Sequence, residues 1–100
     1  MFKIDCDNKM TVTKGDKAFI NFRCGNYLLT QGDNVIFTVR KDERTIFTKQ
    51  VGDIQEKGIV VIDLDVSDTN ITKDVYTYTI RVITSEGVDE TVIESTFNVI

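Results

Sequence analysis

Apolar and polar residues alternate along almost the whole chain, the pattern of half-buried β-strands rather than helices. In the longest such segment, Tyr78, Ile80 and Val82 share one face, while the residues between them, Thr79 and Arg81, are polar. The alternation predicts strands at residues 2–12, 18–24, 35–40, 45–51, 60–65, 76–82 and 91–100. No stretch longer than a turn has helical spacing. About seven short strands separated by turns predict an all-β, antiparallel, immunoglobulin-like β-sandwich.

The first two predicted strands are joined by a turn at residues 14–16, and the first has a kink at residues 7–9. If they form one antiparallel hairpin centred on Gly15, Val12 faces Ala18 and Cys6 faces Cys24. Directly opposed residues lie ~4.5–5.5 Å apart, a separation that a disulfide can bridge. The alternative, which we favour, is two small buried hydrophobic residues that remain reduced.

Two tyrosines near the start of the penultimate strand, Tyr76 and Tyr78, are typical of a tyrosine corner. In that arrangement the ring is buried and the hydroxyl bonds back to the preceding turn. We therefore expect both tyrosines to stabilise the fold rather than to bind a ligand. The apolar run at residues 27–29 is expected to cover one end of the core.

The chain has no proline, so its edge strands must be protected by other means. Charged residues around the edge hairpin could repel strand pairing, namely Lys41, Asp42, Glu43, Arg44 and Lys49. Alternatively, a partner covers the edge, and the sequence favours neither interpretation. The aromatic residues Phe19, Phe47 and Tyr27 are candidates for exposure. Because the chain lacks tryptophan, packing under a loop or against a neighbouring subunit is favoured over sugar binding.

A chain of 100 residues forms one domain, residues 1–100. Its net charge of −4 argues against nucleic acid and anionic membrane surfaces as partners. The absence of histidine removes the commonest general base near neutral pH and the usual zinc ligand. We therefore expect no catalytic, cofactor-binding or metal-binding residues and no cofactor. The chain shows no targeting segment or apolar membrane span, so we expect it to be made in the cytoplasm.

Two groups of carboxylates have spacings that suggest a site, and neither is favoured as one. Asp63, Asp65 and Ser67, with Asp74 at the twelfth position, have the spacing of a calcium loop. However, Asp68 occupies the position where that loop needs glycine, and the flanking pattern is strand. The remaining pair, Asp5 and Asp7, lies on one strand face without any sign of a pocket. It therefore does not indicate a hydrolase.

The order of strands and turns resembles the immunoglobulin-like amino-terminal domain of phage baseplate upper proteins and related tail modules. The resemblance rests on Lys14-Gly15-Asp16 before Ala18-x-Ile20-x-Phe22, Gly32-Asp33 before Val35-x-Phe37-x-Val39, Gly58-x-Val60-x-Ile62, Val75-Tyr76-x-Tyr78-x-Ile80-x-Val82 with Gly87, and the closing Phe97-x-Val99. These motifs cover nearly the whole chain.

The resemblance implies a noncatalytic structural module of a phage or prophage tail or baseplate, located in the virion and made in the bacterial cytoplasm. Its partners would be other tail or baseplate proteins, with a possible homo-oligomer, and docking would use sandwich faces or strand edges. Receptor binding would belong to other domains or chains. The alternative is an immunoglobulin-like module of a bacterial surface or adhesion protein, which oxidised cysteines or calcium dependence would favour. The hypothesis that the chain is an enzyme is the least favoured.

Overall fold

The computed structural model describes residues 2–25, 28–52 and 54–100. Strands dominate the chain, and the helical structure consists of short turns: helix α1 (Val66–Thr69) and a 3₁₀ turn at Glu56–Gly58. The strands are β1 (Phe2–Ile4), β2 (Met10–Val12), β3 (Ala18–Phe22), β4 (Asn34–Lys41), β5 (Arg44–Val51), β6 (Val60–Leu64), β7 (Asp74–Ile83) and β8 (Asp89–Val99). The predicted all-β class is confirmed.

The strands form two sheets that face each other across the core. One sheet has the order β1-β2-β8-β7-β4-β5, and the other contains β3 and β6. Strands β4, β7 and β8 share one sheet while β3 and β6 share the other, the division found in immunoglobulin-like sandwiches. The larger sheet is mixed rather than purely antiparallel, because β2 pairs in parallel with β8.

The core is formed by the inward residues of both sheets, as the alternation predicts. In β4, Val35, Phe37 and Val39 are fully buried, and in the facing sheet Ile62 and Leu64 are equally buried. The ring of Phe37 contacts three other rings, those of Phe47, Tyr78 and Phe97. The strand predicted at residues 45–51 lies at the edge of its sheet, as expected.

The first predicted strand is divided into β1 and β2, which gives eight strands instead of about seven. Between them the chain reverses direction, and β1 pairs antiparallel with β2. The Asp5 carboxylate accepts hydrogen bonds from the backbone N–H groups of Asp7 and Lys9, at 2.9 and 3.0 Å. Asn8 adopts a left-handed φ of 63°, a conformation that asparagine tolerates better than most residues. The predicted kink is therefore a complete turn.

The predicted hairpin centred on Gly15 is wrong. Strand β2 pairs with β1 and β8, whereas β3 pairs with β6 in the opposite sheet. The turn therefore carries the chain from one sheet to the other, with Gly15 at a φ of 83°. Alternation identifies which face of a strand is buried but not which strand pairs with it. In a sandwich, both sheets direct their apolar faces to the same core, so the pattern alone cannot distinguish these arrangements.

Because that hairpin does not form, the prediction that Cys6 faces Cys24 is also wrong. Cys6 is exposed in the turn between β1 and β2, Cys24 is buried beyond the end of β3, and both thiols are free. The predicted burial is confirmed for Cys24 and wrong for Cys6. That both thiols remain reduced stays a prediction.

The predicted tyrosine corner is confirmed at Tyr76, whose hydroxyl donates to the carbonyl oxygen of Thr72 at 2.5 Å. Tyr78 is also buried, but its hydroxyl donates to the carbonyl oxygen of Asn8 at 2.5 Å, in the turn between β1 and β2. Burial and the negative charge of Asp5 raise the pKa of Tyr78 to about 12. This tyrosine therefore anchors the amino-terminal turn to the core.

Candidate interaction surfaces

The outer face of the larger sheet presents a cluster of threonines drawn from β4, β5, β7 and β8. Thr38 lies between Thr48 of β5 and Thr79 of β7, so three neighbouring strands carry threonine in one row. The row lies in a shallow depression of about 610 Å³. We call this surface the threonine face; it comprises Ile36, Thr38, Arg40, Thr45, Thr48, Thr79, Arg81, Thr91 and Glu94.

The charges on the threonine face are few and lie around the threonine row. Arg81 makes a two-point ion pair with Asp89, in which Nε and Nη2 each lie 2.6 Å from a carboxylate oxygen. Hydrogen bonding to Arg81 lowers the pKa of Asp89. Arg40 and Glu94 complete the charged groups of the face. An uncharged centre with charges around it is the usual arrangement of a protein–protein contact.

One side of the sandwich, between β5 and β6, is closed by Lys49, and Lys17 pairs with carboxylates on the outer face of the smaller sheet. Lys49 of β5 lies 2.6 Å from Asp68 and 3.5 Å from Asp65, across the gap between the sheets. Lys17 lies 3.0 Å from Asp63 and 3.3 Å from Asp65. Hydrogen bonding from Lys17 and the charge of Lys49 lower the pKa of Asp65. A lysine that points inward from an edge strand also discourages pairing at that edge.

These ion pairs account for the carboxylates that resemble a calcium loop. Asp63 lies on the exposed face of β6. Asp65 is the N-cap residue of helix α1, and its backbone N–H donates to the carboxylate of Asp68 at 2.8 Å. Asp74 lies at the start of β7, where it pairs with Lys41 at 3.2 Å. The lysines therefore neutralise these carboxylates in two separate groups. Among the residues that the structure describes, no cluster of three or more acidic or cysteine side chains could hold a metal ion.

The opposite side of the sandwich, between β1 and β3, has an open crevice of about 190 Å³, whose lining is mainly apolar side chains together with Asn8, Asn21 and Arg23. Its walls come from both sheets, with Ile4 and Met10 on one side and Ile20 and Phe22 on the other. Arg23 lies at its rim. We call the crevice, together with the outer edge of β3, the β3 groove. No backbone group in the described parts of the chain pairs with that edge, since the paired partner of β3 is β6.

The three aromatic residues predicted to be exposed have different environments. Phe19 projects from β3 with 56% of its surface exposed, and the Lys17 ammonium lies 5.1 Å from the centre of its ring. Phe47 is half-buried, and its ring packs against those of Phe37 and Phe97. Tyr27 lies outside the described residues. Of the two that are described, only Phe19 is available to a partner.

The loops at one end of the sandwich are joined by Asp33, a residue that the sequence marks only as part of a turn. Its side chain is 4% exposed, and each oxygen accepts one backbone N–H bond of 2.9 Å, from Thr30 and from Ser85. These bonds lower its pKa. In the predicted apolar cover, Leu29 is buried, but Leu28 is 73% exposed. Asp33 therefore fixes the β3–β4 loop to the β7–β8 loop.

Comparison of the chain with known proteins identifies no relative. No helix in the described part of the chain is both long and apolar enough to cross a membrane. The chain matches no family model, no curated protein and no solved structure.

Proposed function

We propose that this chain is a noncatalytic structural module of a phage or prophage tail or baseplate, which docks to neighbouring subunits through its sheet face and strand edges. The observation that supports the proposal is the threonine face. Threonine presents a methyl group and a hydroxyl on a side chain with few rotamers, so little conformational entropy is lost when it is covered. The row of Thr48, Thr38 and Thr79 therefore suits a protein contact.

The size of the threonine face favours repeated weak contacts. Strand spacing of ~4.8 Å and a rise of ~3.3 Å per residue give the face, four strands wide and about five residues long, a flat area of about 300 Å². A stable complex covers ~800 Å² on each partner. A single contact on this face alone is therefore weak, and an assembly with many copies supplies the missing strength through avidity. Tails and baseplates are assemblies of that kind.

The first test asks whether the chain is present in particles. Tails or virions are purified from an induced culture of the organism that encodes it, and the chain is quantified by mass spectrometry. We expect a fixed, integral copy number per particle. Absence from particles, together with release of the chain when intact cells are treated with protease, would overturn the proposal in favour of a surface module.

The second test asks whether the threonine face makes the contact. Thr79→Lys places a long cation at the centre of the face, and Glu94 directly opposite on β8 offers it a partner, so the fold is retained. We expect incorporation into particles to fall at least tenfold. Thr72→Lys, on the exposed connection before β7, is the matched control and should incorporate normally. Equal incorporation of both variants, with unchanged melting temperatures, would exclude this face as the docking surface.

A further inference from the structure

The β3 groove combines unpaired backbone groups with an apolar crevice. Strand β3 pairs with β6 along one edge, and within the described residues no strand pairs with its other edge. Alternate N–H and C=O groups of an edge strand point outward, and an extended polypeptide satisfies them all. The backbone N–H and C=O groups exposed on β3 are therefore better matched by another polypeptide backbone than by a lipid or a small molecule.

Strand β3 itself carries none of the charges or prolines that usually prevent strand pairing, although Lys17 and Arg23 flank it. Residues 18–22 contain no charge and no proline, and the register of β3 with β6 is uninterrupted. By contrast, the β5 edge carries the inward-pointing Lys49, and its hairpin with β4 has a register shift after Val39. An unguarded edge on a folded protein indicates that the edge is covered in the assembled state.

The crevice beside the β3 edge indicates which side chain an added strand would need. A cavity of about 150 Å³ lined by aliphatic and aromatic side chains takes up benzene. The open crevice of about 190 Å³ has apolar walls that include Met10, Ile20 and Ile80, and Asn8, Asn21 and Arg23 also line it. It therefore accommodates one large apolar side chain that points inward from a strand lying along β3.

Charge at the ends of β3 distinguishes between possible partners. Arg23 follows β3 directly, is exposed, and makes no ion pair with any residue that the structure describes. In an antiparallel β3–β3 contact between two copies centred on Ile20, Lys17 of one copy lies opposite Arg23 of the other. Like charges in directly opposed positions are destabilising. A strand with a carboxylate opposite Arg23 fits better than a second copy, whereas Lys17 already pairs with Asp63 and Asp65.

We propose that the β3 groove binds an extended segment of a different neighbouring subunit, which adds to β3 as a further strand, inserts one large apolar side chain into the crevice and places a carboxylate beside Arg23. This inference rests on the proposed assembly function and specifies its docking mode. It is independent of whether the assembly is a phage particle, because any partner with such a segment satisfies it.

The test uses the whole chain, labelled with ¹⁵N, and a blocked heptapeptide of sequence DVTFTVD as the probe. We expect backbone amide shifts confined to residues 18–23 and to the lining of the crevice. Two further peptides carry N-methyl groups at the odd or the even backbone nitrogens. Because strand N–H groups alternate in direction, one methylated peptide should lose binding and the other should retain it. Loss of binding by both, or by neither, would contradict strand addition.

The charge requirement is tested with Arg23→Glu and with the peptide KVTFTVK. We expect Arg23→Glu to weaken binding of the acidic peptide about fivefold or more and to strengthen binding of the basic one. Arg44→Glu, at the exposed start of β5, is the matched control and should change neither affinity. Equal affinity of wild-type protein for both peptides would overturn the assignment of an acidic partner.

The failure of this inference can be distinguished from failure of the proposed function. If no peptide shifts residues 18–23 at millimolar concentration, strand addition is excluded, while particle incorporation still tests assembly. If shifts instead fall on the threonine face, the groove is excluded as the site. Light scattering at micromolar concentration completes the test: we expect a monomer, and a dimer abolished by Phe19→Asp would identify a second copy as the occupant and overturn the proposal.

Discussion

Replacing Asp33 should separate two loops that are far apart in sequence. Its buried carboxylate accepts a backbone N–H from Thr30 in the β3–β4 loop and another from Ser85 in the β7–β8 loop. In Asp33→Asn one oxygen becomes an amide N–H₂, so one of these donors faces another donor. A hydrogen bond to a charged group contributes ~1.5–3 kcal/mol, and we expect the free energy of unfolding to fall by that amount.

Asp33→Ala removes both acceptors and should lower the free energy of unfolding by about 3–5 kcal/mol. In a domain of this size, 1 kcal/mol corresponds to a change in Tm of ~4–8 °C. Urea denaturation and thermal melting measure both effects. Hydrogen exchange adds a local signature, because the amides of Thr30 and Ser85 should lose protection first. Asp42→Asn, in the exposed β4–β5 turn, makes the same charge change and should have little effect.

The pH dependence of these variants follows from the direction of the pKa shift. Backbone hydrogen bonds from Thr30 and Ser85 lower the pKa of Asp33 below 3.8, so the unfolded chain takes up its proton first as the pH falls. The stabilisation is complete above the unfolded value and is lost as the pH falls through the lower folded value. The difference between wild type and Asp33→Asn should therefore shrink below pH 3.8. A difference under ~0.5 kcal/mol at pH 7, or one that is constant down to pH 2, would refute the reasoning.

Three further predictions concern the core, one turn and the thiols. Tyr78→Phe should lower the free energy of unfolding, measured by urea denaturation, by about 1–2 kcal/mol. Because burial raises the pKa of Tyr78 from 10.0 to about 12, the stability of the wild type should hold below pH 10.0 and fall above it. A stability that does not change at alkaline pH would contradict this. Gly58→Ala should lower the free energy of unfolding by ~1 kcal/mol or more beyond the effect of Gly87→Ala. Both glycines have positive φ, but only a Cβ at Gly58 would meet a backbone atom, the nitrogen of Leu29 in the β3–β4 loop at 3.1 Å. Equal melting temperatures of the two variants would exclude that contact. Thiol titration without reductant should find Cys6 reactive in the native protein and Cys24 only after denaturation, whereas two simultaneous reactions would show that Cys24 is not buried.

Alternation along the chain was sufficient to predict the strands after residue 18 and most of their buried faces, but not the division of the first strand into β1 and β2. The predicted inward set Val35, Phe37 and Val39 is fully buried, and the predicted strand at residues 76–82 lies within β7. Burial of every second side chain is a local property, so it can be seen in a sequence. The choice of partner strand is not local, which is why the Gly15 hairpin was predicted and the crossing between sheets was missed.

The candidate surfaces depend on that same nonlocal information. Thr38, Thr48 and Thr79 each appear in the sequence as an ordinary polar residue on the outer side of a strand. They form a row only because β4 lies between β5 and β7. Asp33 has a weak local signal, since aspartate in a turn often accepts backbone N–H groups nearby. Its second donor, Ser85, lies in another loop and could not be predicted from that signal.

The two open sides of the sandwich differ in a way that bears on assembly. Both sheets end in an edge strand on each side, so each gap must be closed by side chains or by another chain. Between β5 and β6, Lys49 reaches the carboxylate of Asp68, and the charge it carries also makes the β5 edge a poor template for pairing. Between β1 and β3, the gap is lined mainly by apolar residues, and the β3 edge above it carries no charge between residues 18 and 22. Apolar surface is costly to leave in water, and the backbone groups of the β3 edge can exchange their hydrogen bonds with water for hydrogen bonds with an added strand. Their coincidence on one side makes β3 the edge at which a neighbouring subunit gains most by binding.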